Sequence, residues 1–78
     1  MKLLKIGSSS SSSIVLNSEF VSSHHAEILL LDSGEIILED KNSTNGTFVG
    51  GKKITPNKEV TIQRGDYVKF ADVELQWS

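Results

Sequence analysis

The chain is cut into short apolar segments, and each is closed within a few residues by a turn signal. Leu3–Ile6, Ile14–Leu16, Ala26–Leu31, Ile36–Leu38, Thr47–Val49, Lys52–Ile54 and Tyr67–Phe70 read as strands, and Val73–Trp77 as a last one. Val60 and Ile62 alternate with Glu59, Thr61 and Gln63, the two-residue period of a half-buried strand. Between these segments stand Asp32-Ser33-Gly34-Glu35, Gly50-Gly51, Thr55-Pro56-Asn57-Lys58 and Arg64-Gly65-Asp66, all turn chemistry. No stretch carries a convincing helical period. A chain of about nine or ten short strands with turns this frequent predicts an all-β fold, an antiparallel β-sandwich.

At 78 residues there is room for a single domain spanning 1–78, of a size that also serves as a module of a longer protein. A chain this short buries only roughly 60–65% of its unfolded surface, so its stability margin is small. It has no cysteine. That excludes disulfides, thiolate metal sites and a cysteine nucleophile, and it suits a reducing compartment, so a cytoplasmic location is expected. The formal net charge is −2, without the basic surplus of nucleic-acid binders, so no nucleic-acid partner is expected. The apolar run Ile28-Leu29-Leu30-Leu31 is far too short to cross a bilayer, and Met1-Lys2-Leu3-Leu4-Lys5 does not resemble a secretion signal, so no membrane partner is expected either.

Three polar stretches interrupt the strands. Gly7 is followed by six serines, Ser8 to Ser13. Their composition is that of a flexible linker, but their place between two strands makes them a loop at one end of a sheet. Ser22-Ser23-His24-His25 forms a second loop. The third, Asp40-Lys41-Asn42-Ser43-Thr44-Asn45-Gly46-Thr47-Phe48, is rich in residues that bond nearby backbone and fix a loop shape, and Asn45-Gly46 is a turn pair that tolerates positive φ. A meander bringing all three to one end would give a donor-rich binding surface on a rigid scaffold.

These residues support little chemistry. Neighbouring residues on a strand point to opposite faces, so His24 and His25 cannot readily share a metal ion, and no metal or other cofactor is expected. Ser22 and His25 lack an acid to orient the histidine, which leaves no triad. Arg64-Gly65-Asp66 reads as a turn between strands rather than an adhesion motif. Phe70 and Trp77 read as core or edge packing rather than a base-stacking platform.

Four segments together resemble the forkhead-associated (FHA) domain. They are Ile6-Gly7 after the first strand, Val21-Ser22-Ser23-His24-His25-Ala26-Glu27-Ile28, the central loop from Asp40 to Val49, and Val60 to Phe70. They cover nearly the whole chain in the right order. The resemblance implies an eleven-stranded β-sandwich of the FHA/SMAD-like type whose apical loops bind phosphothreonine peptides. It implies that Ser22 and Thr44 help hold the phosphate and that Asn45 bonds the backbone of the peptide. Ser23 and Ser8 fall at further phosphate-contacting positions, and His25, Gly7 and Gly46 shape the loops.

The chain departs from the family at telling places. The family's phosphate-clamping arginine, directly after the first glycine, is Ser8 here. Ser23 brings neither charge nor amide, and Ala71 stands where glycine is common. The expected function is a non-catalytic interaction module for phosphothreonine-containing proteins. The alternative is a degenerate FHA fold that binds an unmodified protein. Compensation for the lost arginine would have to come from serine amides and hydroxyls acting as an anion nest, or from Lys41 beside the central loop.

Overall fold

A computed structural model describes residues 1–75 of the chain. The expected end of the last strand at Trp77, and the packing of Trp77, lie outside the described residues. Among the described residues there are nine strands: β1 (Lys2–Gly7), β2 (Ile14–Val15), β3 (Ala26–Leu30), β4 (Ile36–Asp40), β5 (Thr47–Val49), β6 (Lys52–Lys53), β7 (Glu59–Ile62), β8 (Val68–Phe70) and β9 (Val73–Leu75). The eleven implied by the resemblance are therefore not reached among the described residues. Phe20-Val21 in particular is not a strand. The Ser18 Oγ accepts the Phe20 N–H at 3.2 Å, and the Val21 N–H reaches the Ser18 carbonyl at 3.1 Å, which curls this segment into a turn.

The strands form two sheets, ordered β2-β1-β3-β4-β7 and β6-β5-β8-β9. Strict alternation decides which side of each strand is buried. In β3, Ala26 and Ile28 face the core. In β4, Ile36, Leu38 and Asp40 do so in the same phase. The second sheet contributes Val68 and Phe70, both fully buried, and Ile6 and Ile62 complete the contact between sheets. The outer face of the first sheet carries Leu3, Leu29 and Ile37 in cross-strand register, so the apolar residues on both sides of β3 are accounted for.

Among the described residues all pairings are antiparallel except one. β1 and β2 run parallel, with Ile6 opposite Ile14 and Gly7 opposite Val15. The serine run makes this possible, because the chain must leave the sheet and fold back beside β1 within a few residues. The Ser13 Oγ accepts the Lys5 N–H at 3.1 Å, and the Ser12 N–H reaches the Ser9 carbonyl at 3.0 Å. Small side chains that also serve as hydrogen-bond partners let so short a return close without clashes. The β5–β6 hairpin turns on Gly50 and Gly51, with φ of 59° and 84°. Two successive positive φ values are what a tight hairpin turn of the right twist requires.

Candidate functional site

The three polar loops meet at one end of the sandwich. The Ser8 N–H donates to the Ser22 carbonyl (3.0 Å) and the Ser9 N–H to the Ser23 carbonyl (3.3 Å), which ties the serine loop to the second loop. The Thr44 N–H donates to the Ser22 Oγ at 3.0 Å, and the Asn45 Nδ2 donates to the Phe20 carbonyl at 2.7 Å, which ties the second loop to the central one. Gly7 lies so close under the second loop that a Cβ there would sit 2.0 Å from the Ser23 carbonyl oxygen. Only glycine permits that approach.

His25 is the common anchor. Its side chain is fully buried and meets the Phe70 ring edge-on at 5.8 Å between centroids. The Nδ1 accepts the Ser22 N–H at 3.1 Å, so the proton is on Nε2, which donates to the Gly46 carbonyl at 2.9 Å. Its backbone N–H bonds the Ile6 carbonyl and its carbonyl takes the Lys41 N–H, at 2.8 and 3.0 Å. One residue thus reaches β1, the second loop and both ends of the central loop. His24, by contrast, is exposed and lies 3.0 Å from the Glu27 carboxylate, so the two histidines diverge.

The central loop is built around Asp40. Its position in the strand pattern, two residues after Leu38, carries the carboxylate inward, where it is 1% exposed. There the Oδ1 accepts the Ser43 and Thr47 hydroxyls at 2.5 and 2.6 Å, and the Oδ2 accepts the Ser43 N–H at 3.1 Å. The Ser43 Oγ in turn accepts the Gly46 N–H at 3.0 Å. Burial pushes the Asp40 pKa up. The hydrogen bonds from Ser43 and Thr47, with a smaller contribution from His25, more than offset this and hold it below the usual carboxylate value. Asn42, at φ 60°, and Gly46, at φ 88°, take the left-handed turns of the loop.

The residues left facing outward are Thr44, Asn45 and Ser23, with Ser22 and Ser8 half-exposed. The Ser22 hydroxyl already accepts the Thr44 amide, so its own proton is free to donate to an anion. The serine loop has less to offer than its composition suggests. The amides of Ser8, Ser9, Ser11 and Ser12 are all committed, to the Ser22 and Ser23 carbonyls, the Ser9 Oγ and the Ser9 carbonyl. The amide nest expected from this run is therefore mostly occupied. Lys41 is turned to Glu39, 3.4 Å away, rather than to the loop tips.

Beside Asn45 an open groove of about 330 Å³ runs over the second sheet, lined by Phe20, Asn45, Phe48, Lys69, Ala71 and Asp72. Sequence reasoning passed over Phe20, Asp40 and Ser43 as site residues. For Asp40 a signal existed: it continues the inward phase of Ile36 and Leu38. For Phe20, half-exposed, there was none, since its place is set by a contact with a loop far along the chain.

A family profile for the FHA domain matches residues 4–71. The chain is 33% identical, over 57 residues, to an Arabidopsis thaliana homologue of the protein phosphatase 1 regulatory inhibitor subunit PPP1R8; the match covers 73% of this chain and 15% of that protein. Its fold superposes on Mycobacterium tuberculosis EmbR in complex with a low-affinity phosphopeptide, with a TM-score of 0.85 and 32% identity over 96% of this chain and 19% of the other. It also superposes on the N-terminal FHA domain of Saccharomyces cerevisiae Rad53p in complex with a phosphothreonine peptide, with a TM-score of 0.78 and 32% identity over 86% of this chain and 54% of the other. The chain thus spans only a small part of the first two proteins and about half of the third. With this profile, this sandwich and these loops, the chain belongs to the FHA domain family.

Proposed function

We propose that the chain is a non-catalytic module that recognises a phosphothreonine-containing segment of a partner protein through its three apical loops. The observation that carries this reading is the junction at Ser22: its hydroxyl is held by the Thr44 amide at 3.0 Å with its own proton left to donate. Thr44 and Asn45 stand exposed beside it. In this reading Ser22 and Thr44 hold the phosphate, with Ser23 and Ser8 assisting. Asn45 keeps one amide N–H on Phe20 and offers its carbonyl and second N–H to the peptide backbone. His25, Gly7 and Gly46 hold the loops in place. The similarity to EmbR and Rad53p, each solved with a phosphorylated peptide, supports the same assignment.

Affinity is expected to be modest. A phosphothreonine carries about −1.5 to −2 charges at neutral pH. An arginine contact to it is worth roughly 1.5–3 kcal/mol, against about 1 kcal/mol for a neutral hydroxyl. Having Ser8 in place of arginine therefore costs on the order of tenfold in affinity. That substitution, together with the committed amides of the serine loop, favours the second reading: the same fold binding an unmodified partner. The two readings separate on a peptide array with fixed phosphothreonine and varied flanks, measured beside its unphosphorylated twin. Binding confined to the phosphorylated set, weakened by Ser22→Ala and Thr44→Ala and raised roughly tenfold by Ser8→Arg, supports the phosphopeptide reading. Equal binding to both sets, or none to either, overturns it in favour of the second.

A further inference from the structure

The positive charge missing at Ser8 reappears on the other side of the central loop. The stem of Lys53 lies across Gly46: a Cβ built on Gly46 would sit 2.8 Å from the Lys53 Cε and 3.3 Å from its Cδ. Gly46, two residues before Phe48, shares its outward face, and Phe48 is paired with Lys53 on one side and with Lys69 on the other. The outer face of the second sheet therefore presents a row Lys53–Phe48–Lys69 directly beneath Asn45-Gly46. Lys69 and Phe48 also line the groove that opens at Asn45.

The carboxylates on this side, Asp72 and Glu74, are each hydrogen-bonded by a hydroxyl. Asp72 accepts the Ser18 hydroxyl at 2.6 Å. Glu74, opposite Lys69 in register, accepts the Tyr67 hydroxyl at 2.9 Å. Among the described residues neither Lys53 nor Lys69 is in an ion pair. This face is thus positive on β6 and β8, to either side of Phe48 on β5, and negative at Asp72 and at Glu74 on β9.

We propose that Lys53 and Lys69 determine specificity for the segment beside the phosphothreonine, selecting partners with an acidic side chain where the peptide crosses the second sheet. This rests on the phosphopeptide reading above. A carboxylate lying over Phe48 would be flanked by both ammonium groups while the lysine stems cover the ring. Placing a lysine stem across the glycine of the Asn45-Gly46 turn couples this charge to the loop that holds the peptide backbone.

The test uses the phosphothreonine array with acidic, neutral and basic residues at each flanking position. The variants are Lys53→Met and Lys69→Met, which keep the apolar stems and remove the charge, and Lys53→Glu with Lys69→Glu. Both lysines are on the sheet surface, and circular dichroism checks that each variant is folded. The wild-type chain should favour an acidic flank by about two- to fivefold, as partly exposed ion pairs do, and the preference should shrink as salt is raised. The methionine variants should lose it, and the double glutamate variant should invert it towards basic flanks. Phosphate-dependent binding with no acidic preference, or a preference that survives both methionine variants, overturns this inference alone. Binding that ignores phosphorylation overturns the phosphopeptide reading, and this inference with it.

Discussion

Replacing Asp40 with asparagine should unfasten the central loop, and the size of the effect follows from its three hydrogen bonds. The carboxylate is 1% exposed and accepts two hydroxyls and one amide. Bonds to a charged acceptor are worth roughly 1.5–3 kcal/mol against about 1 for neutral ones, so losing the charge costs roughly 0.5–2 kcal/mol at each of the two bonds that can persist. Asparagine also turns one acceptor oxygen into an NH₂ group, which must face the Ser43 N–H or one of the hydroxyls. That leaves a buried donor unpaired, for a further ~1–3 kcal/mol. The sum is about 2–7 kcal/mol, a large share of the roughly 4–12 kcal/mol a domain of this size has in all. Urea unfolding at pH 7 should show the loss as a fall in midpoint without a change in slope.

The pH dependence provides the stricter check. The folded pKa of Asp40 is lowered relative to the unfolded chain, so its contribution is fully present above the ordinary carboxylate pKa of about 4. It is lost as pH falls through that value and the lower folded one. The wild-type and Asp40→Asn midpoints should therefore differ widely at pH 7 and converge in acid, as pH falls through the lowered folded pKa of Asp40 and its side chain becomes uncharged too. Other carboxylates titrate in both proteins and cancel in the difference. An Asp40→Asn chain as stable as wild type at pH 7, or a difference that does not shrink in acid, would refute the account of this loop.

Two further substitutions probe the backbone. Gly7→Ala forces a methyl group to 2.0 Å from the Ser23 carbonyl oxygen, so the serine and second loops must separate. A loss of about 3 kcal/mol is expected, with faster hydrogen exchange of the Ser8 and Ser9 amides, which bond across that seam. Ala71 is buried with φ at 54°, a region that costs alanine about 1–2 kcal/mol. Ala71→Gly removes that cost but also a buried methyl and some unfolded-chain restriction, so stability should stay within about 0.5 kcal/mol of wild type. Ala71→Val, β-branched at positive φ, should lose about 2 kcal/mol or more in the same thermal or urea melt.

Much of this fold was legible before any coordinates because the physics that sets it is local. The apolar runs Ala26–Leu31 and Ile36–Leu38, the alternation of Val60 and Ile62 with polar neighbours, the Asp32–Glu35 turn and the Gly50-Gly51 hairpin each depend on residues close in sequence. The loop membership of Ser22, Thr44 and Asn45 was legible for the same reason, and through the order of the motifs around them. The parallel pairing of β1 and β2 was not. Composition describes six serines as a linker, and only the return path beside Lys5 shows that they fold back on the first strand. Phe20-Val21 is apolar, yet Ser18 captures its amides for a turn.

The sequence by itself determined that this chain makes short antiparallel strands with polar loops between them, that it has no arginine after Gly7, and which residue types would stand at the loop tips. The tertiary structure alone decided what those residues are free to do. The serine amides, available in composition, are spent on the second loop (Ser8, Ser9) and within the serine loop itself (Ser11, Ser12). Lys41 is spent on Glu39, whereas Lys53, unremarkable in sequence, lies across Gly46. The reason is geometric. Local propensity is set by neighbours along the chain, whereas the availability of a donor or a charge depends on partners far away in sequence that folding places within about 3 Å.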